Sequence, residues 1–275
     1  MDSRHDILTG TETGPTRPQR SLADTLAPLD RLAQNSPSLL NKPLASFTVG
    51  GQSYSLPRYL FIGPKGGDDP IRLGLFAGIH GDEPAGVYAL IELLHCLAAH
   101  PELAVGYCLF VYPVCNPTGF EDSTRLSRRG IDLNREFWTQ SQEPEVQHLQ
   151  SELIVHSLHG LVALHTDNTS HGLYGFVRGA TLTRYLLEPA LAAAEELLPR
   201  NENARIDGFP ARNGIIRQNY DGVLSAPPKV RPRPFEIVLE TPETAPRYLQ
   251  QKALVAALLT IIGEYRKLMA YSPNL

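Results

Sequence analysis

The sequence predicts a three-layer α/β/α sandwich around a mixed, mainly parallel sheet. Continuous apolar runs of strand length, such as IRLGLFAGI at 71–79, alternate with longer amphipathic stretches of helical period. Alternation of that kind builds parallel sheets covered by helices on both faces. At 275 residues and 42% hydrophobic, the chain can bury one large core, and neither an internal repeat nor a compositional linker forces a second domain.

Residues 1–20 are rich in Thr, Arg, Gly and Pro without hydrophobic periodicity, so they predict a flexible tail or surface arm with no chemistry. Residues 21–275 form the single domain, with a helix and hairpin appendage at 21–65. LADTLAPLDRLAQ spaces Leu22, Leu26, Leu29 and Leu32 as a helix, with Pro28 as a kink or break. ASFTVGGQSYSLPRYLFIG reads as a hairpin turning at Gly50 and Gly51. The strand at 71–79 leads into PAGVYALIELLHCLAAH, whose Pro84 suits the first helical turn. A second buried strand, LAVGYCLFVYPVC, is followed by a long polar loop from Asn116 to Phe137. A helix in EPEVQHLQSELIVHSLH, the short strand GLVALH and the helix LTRYLLEPALAAAEELL come next. A Gly-, Asn- and Pro-rich stretch runs from Pro199 to Pro234, and the strand FEIVLE and a closing helix at 245–269 end the pattern.

Composition excludes several classes. A net charge of −4 provides no broad basic field for nucleic acid, which leaves Arg125, Arg128, Arg129 and Arg135 as local equipment. No run approaches the roughly 18 apolar residues of a membrane span, and the N-terminus lacks an apolar signal core, so the expected location is cytoplasmic. Cys96, Cys108 and Cys115 lie within apolar segments without metal-site spacing, as buried thiols do. Nothing in the composition decides the oligomeric state.

In open α/β sheets, ligands bind where loops leave the carboxyl ends of strands. The predicted strands end at His80 and Glu83, at Asn116, at His165 and at Glu240. His80 and Glu83 are close enough in sequence to reach one ion, and His165 is the best third ligand, with His171 a weaker rival in the same loop. A His2Glu set suits a catalytic zinc with an open position, which acidifies water and polarises a carbonyl. A lone H-x-x-E is common by chance, and a strand-end histidine is often a hydrogen-bonded structural residue. The remaining histidines, His95, His100, His148, His156 and His159, fall on or beside helix faces.

The ordered set GIHGDEPAG, NPTGF, STRLSRRGIDLNREF, LHT and FEIVLETP, spanning about residues 70 to 242, resembles the zinc carboxypeptidase family and its relatives. These include murein-peptide amidases and the succinylglutamate desuccinylase/aspartoacylase group. The resemblance implies one zinc ion on His80, Glu83 and His165. It makes Glu240 the general base that takes a proton from the attacking water and returns it to the leaving nitrogen, with Glu236 as rival on the same strand face. Asn134 and Arg135 would hold a substrate carboxylate. Arg125 or Arg128 would stabilise the oxyanion. Asp132 would orient His80, and Tyr220 would be a phenol over the substrate. Glu136 stands where relatives often have Asn, and Ala163 where many have an acidic residue; Glu136 would either favour a cationic substrate group or face solvent.

The implied activity is zinc-dependent hydrolysis of an amide bond beside a free carboxylate, by a metallocarboxypeptidase or peptide amidase acting on short peptides. The alternatives are an N-acyl amino acid deacylase and an inactive carboxylate- or peptide-binding module.

Overall fold

The computed structural model describes residues 19–66 and 69–271, so the tail expected at 1–20 lies outside the described residues except for Gln19 and Arg20. Ser21 caps α1 (Leu22–Asn35) by accepting from the Asp24 amide. Pro28 lies inside this helix without ending it, and burial of Leu26 and Leu29 offsets the missing amide. β1 (Leu39–Asn41) follows, then the hairpin of β2 (Ser46–Val49) and β3 (Gln52–Ser55). Gly50 and Gly51 both take positive φ there, as a two-residue hairpin turn demands. β4 (Tyr59–Ile62), β5 (Ile71–Ala77), α2 (Pro84–Ala99) and β6 (Tyr107–Tyr112) come next. α3 (Pro117–Asp122), α4 (Pro144–Val155), β7 (Gly160–Asp167) and β8 (Tyr174–Val177) carry the chain across the sheet. α5 (Ala180–Leu182) runs through a π-helical turn into α6 (Glu188–Glu195). Three short strands, β9 (Arg205–Ile206), β10 (Phe209–Arg212) and β11 (Ile215–Ile216), precede β12 (Phe235–Pro242) and α7 (Arg247–Tyr271).

The described strands form a ten-stranded sheet in the order β1-β4-β6-β5-β7-β12-β8-β11-β10-β9, beside the separate β2–β3 hairpin. β6, β5, β7 and β12 are mutually parallel, and antiparallel strands extend both sides. The chain leaves β5 for β6 on one side and returns to β7 on the other. That reversal makes a crevice at the carboxyl ends of β5 and β7.

Both faces of the sheet are covered. Leu73, Leu75 and Ala77 of β5 join a core with α1, α2, α6 and α7, whereas Phe76 faces a second core with Val146, Leu149 and Leu153 of α4. The three cysteines are free. None of the helices among the described residues is long and apolar enough to cross a membrane. The short strand β8 and the three at 205–216 lie in stretches where the sequence pattern predicts no strands. β8 pairs with the distant β12, β9, β10 and β11 pair mainly with one another, and runs of two to four residues show no periodicity of their own.

At the start of α4, Glu143 and Glu145 are buried, and each has one carboxylate oxygen without a hydrogen-bond partner. Burial, reinforced by the charge of Glu143, pushes Glu145 up to about 7 against the pull of its own backbone amide. The folded state therefore holds this proton more tightly than the unfolded chain does. Its stability contribution is fully present below pH ~4.5 and is lost as the pH rises toward 7. Glu145→Gln is expected to raise the melting temperature at pH 8 by a few degrees and at pH 5 by much less; thermal denaturation across pH measures the difference.

Candidate metal centre

β5 ends at Ala77 and Gly78 turns the backbone with φ +60°. The next turn, His80 to Glu83, closes with the Glu83 amide donating to the His80 carbonyl. Pro84 then starts α2, which leaves Glu83 at the N-cap position, but its side chain makes no cap bond. The carboxylate turns into the crevice instead. Its Oε1 lies 2.6 Å from His80 Nδ1, and its Oε2 lies 2.9 Å from His165 Nδ1 and accepts from the Thr166 amide at 3.1 Å.

His80, Glu83 and His165 are all buried and offer ligand atoms within 4.8 Å of one another. Asp132 Oδ1 lies 3.2 Å from His80 Nε2 and, as an ionised carboxylate, accepts a hydrogen bond from that nitrogen. Nδ1 then faces the Glu83 carboxylate, an arrangement that positive charge shared by the two groups stabilises. Two imidazole nitrogens and one carboxylate aimed at a shared point fit a divalent ion of the zinc class. The His80 environment also favours its protonated form. Burial acts against charging His80, but Asp132 and Glu83 outweigh it and raise its pKa. Burial likewise opposes the Glu83 charge, but His165 and His80 outweigh it and hold this carboxyl well below its ordinary range.

Around this cluster lies a cavity of about 270 Å³. Arg125, Asn134, Arg135, Tyr220 and Glu240 all line it. Arg125 donates to Asp132 Oδ2 through Nε (3.2 Å) and Nη2 (3.0 Å), and its Nη1 is 3.6 Å from Glu83 Oε1. Asn134 accepts from the Leu224 amide through Oδ1 at 2.9 Å, which leaves its amide donors for the cavity. The Arg135 guanidinium lies 5.0 Å from the Tyr220 ring centroid. Tyr220 donates to the Asp207 carbonyl at 2.9 Å, and burial together with Asp207 raises its pKa, so the phenol keeps its proton.

Glu240 pairs with His165 in the parallel register and with Tyr174 in the antiparallel one. Its carboxylate accepts no hydrogen bond from the described residues. Loss of water contact, with Glu83, Asp167 and Asp207 nearby, raises it to about 8 against the pull of His165.

Other expected positions lie elsewhere. Arg128 points away from the cavity and forks onto Asp122 at 2.7 and 2.6 Å, which fastens α3 to the β2–β3 hairpin through Gln52 and Tyr54. Of the two arginines left open by spacing, Arg125 is therefore the one beside the metal cluster. Glu236 lies four residues before Glu240, about 13 Å along the strand. It accepts from the Ala226 amide and Arg233. His171 is exposed, Glu136 does not line the cavity, and Asn116 serves as the N-cap of α3.

Sequence reasoning passed over Arg20, which falls in the segment expected to be a tail. Its guanidinium donates to the carbonyls of Gly81 (2.5 Å) and Phe120 (3.3 Å) and stacks 5.1 Å from the Phe120 ring centroid. Gly81 itself packs so tightly on α3 that an added Cβ would stand 1.9 Å from the Gly119 carbonyl carbon. The His80–Glu83 turn is thus held from two sides. No signal local to Arg20 could have revealed this contact, because its partners are 61 and 100 residues away. Arg20→Ala is expected to weaken metal retention about tenfold, the lower end for residues that orient ligands indirectly; zinc titration against a competing chelator reads this directly.

The sequence profile of the succinylglutamate desuccinylase/aspartoacylase catalytic domain matches residues 70–200. That span holds the His80–Glu83 turn, the 116–137 loop and His165, and stops before Asp207, Tyr220 and Glu240. A search of curated proteins finds no significant match. Among solved structures, a presumptive metallopeptidase from Shewanella amazonensis superposes with a TM-score of 0.75 at 23% identity, covering 88% of this chain and 92% of the other. The metallo-carboxypeptidase of Burkholderia cenocepacia gives a TM-score of 0.65 at 17% identity, covering 91% of this chain and 70% of that one. For carboxypeptidase A of Helicoverpa armigera the TM-score is 0.70 at 14% identity, with 93% and 75% covered. At these identities the likeness is one of fold.

Proposed function

We propose that this chain is a zinc-dependent hydrolase of the zinc carboxypeptidase-like superfamily, a reading supported by its fold and its profile match, and that it cleaves an amide bond beside a free carboxylate, as a metallocarboxypeptidase or peptide amidase on short peptides. The observation that carries this reading is the convergence of three metal-ligand side chains, a half-buried carboxylate and an Arg-Asn-Arg set on one cavity.

His80, Glu83 and His165 would hold the ion, which supplies a Lewis acid that polarises the scissile carbonyl and acidifies water. Glu240, at the end of β12 beside His165, takes a proton from the attacking water and passes it to the leaving nitrogen. Arg125 donates to the oxyanion as it develops. Asn134 and Arg135 orient the substrate by its carboxylate, the arginine through its planar fork. Asp132 fixes the tautomer of His80 and anchors Arg125, so it couples the metal side of the cavity to the oxyanion side. Tyr220 closes over the substrate as a neutral hydroxyl donor.

The profile match favours a second reading, N-acyl amino acid deacylation by the same groups. Turnover of N-acetylaspartate or N-succinylglutamate in preference to dipeptides would put it first.

After zinc reconstitution and dialysis, elemental analysis is expected to find about one zinc per chain, lost in His80→Ala and in His165→Ala. No retained metal in the unsubstituted protein would reject the hydrolase reading in favour of an inactive carboxylate-binding module. Glu240→Gln should retain the metal yet lower kcat by about 10²-fold or more on the best peptide substrate. Undiminished hydrolysis by that variant would remove Glu240 from the role of base.

A further inference from the structure

A second cavity, of about 350 Å³, lies at the opposite edge of the sheet from the metal cluster, where β7 and β12 begin and β8 ends. Phe235 in its wall stands five residues before Glu240 on β12, about 17 Å along the strand. The two cavities share no lining residue.

The walls combine apolar surface with guanidinium charge. Leu182 beyond β8, Phe235 of β12 and Leu268 of α7 supply the apolar part, and Phe235 meets Tyr265 edge to face with ring centroids 4.6 Å apart. Arg178 and Arg233 supply the charge. Arg233 is committed: its Nη2 donates to Glu236 Oε1 at 3.0 Å, and Glu236 also accepts from the Ala226 amide at 2.8 Å. Arg178, directly after β8, has no acidic partner within salt-bridge distance among the described residues. His159 also lines the cavity, and burial together with the Arg72 guanidinium lowers its pKa, so it is neutral at pH 7. Two guanidiniums against one carboxylate leave the lining with a single net positive charge.

An independent observation is a buried donor. Tyr265 is only 5% exposed, yet its hydroxyl has no hydrogen-bond partner among the described residues. Burial pushes that hydroxyl up to about 12, so it keeps its proton. Buried polar groups are nearly always paired, and a ligand in the cavity that Tyr265 lines would supply the missing acceptor. Directly behind Leu182 comes the π-helical turn Thr183–Leu187, an irregularity of a kind that recurs beside functional sites.

We propose that this cavity is a second binding site, for a small monocarboxylate with an apolar body, such as a short-chain fatty acid. The carboxylate pairs with Arg178 and accepts from Tyr265, while the hydrocarbon lies along Leu182, Phe235 and Leu268. One net positive charge matches a monoanion; a phosphate monoester would bring a charge of about −1.5 to −2. The site is independent of the hydrolase reading, since none of its residues belongs to the metal centre.

Isothermal titration calorimetry of the zinc-reconstituted full chain tests it with hexanoate. Saturable binding is expected, at least tenfold tighter than that of acetate, which lacks the apolar body, or of 1-hexanol, which lacks the charge. Because Arg125 and Arg135 face the other cavity, substitutions locate the ligand. Arg178 and Thr181 are exposed lining residues, so their replacement leaves the core intact. Arg178→Gln should weaken hexanoate about tenfold, and Thr181→Glu, which sets a carboxylate in the wall, at least as much. Tyr265→Phe keeps the ring contact and should weaken it severalfold, whereas Arg135→Gln should leave it unchanged. Loss in Arg135→Gln with none in Arg178→Gln places the ligand beside the metal cluster and overturns the proposal. Equal affinity for hexanoate and 1-hexanol, or no saturable binding at millimolar hexanoate, overturns it as well.

Discussion

One buried carboxylate organises the centre of this molecule. Glu83 divides its two oxygens between the imidazole of its own turn and that of His165, and also receives the Thr166 amide. In this way it joins the exit of β5 to β7, its neighbour across the crevice where the strand order reverses. An ionised group this deep is tolerated only with compensating charge and hydrogen bonds. The α2 N-terminus adds favourable backbone dipoles, and His80, whose charged form Asp132 and Glu83 favour, adds countercharge.

From that point the constraints run outward along the loop at 116–137. Asp132 accepts from His80 Nε2, from the fork of Arg125 and from the Asn134 backbone amide, so three functional positions share one carboxylate. Asn134 in turn holds the Leu224 amide, and Gly222 packs against Arg135 so closely that a Cβ there would lie 2.5 Å from the Arg135 carbonyl oxygen. The loop is therefore tied to the segment that carries Tyr220 and leads into β12. Displacing either one would move both walls of the cavity.

Arginines at the periphery do different work with the same side chain. Arg20 bridges two backbone carbonyls, one in the ligand turn and one in α3. Arg128 bridges α3 and the hairpin through side chains. Arg125 and Arg135 instead face the cavity, one compensated by Asp132 and the other laid against an aromatic ring. Position relative to α3 decides which of these roles an arginine takes.

Periodicity made the central layers legible: apolar runs marked β5, β6, β7 and β12, and amphipathic spacing marked α2, α4 and α7. Because ligands collect at the carboxyl ends of parallel strands, the strand ends at His80, Glu83, His165 and Glu240 could be grouped before any coordinates were known. What spacing could not do was choose between Arg125 and Arg128. They lie three residues apart in one irregular loop, and only the packing of α3 turns one into the cavity and the other onto Asp122. The same limit hid Asp207, which reaches the cavity from a turn between two paired strands of two and four residues. The sequence by itself determined which side chains would gather at one edge of the sheet, since strand period and chain direction are local properties. Tertiary structure alone decided which charges face each other across the cavity, because that depends on contacts between residues tens of positions apart.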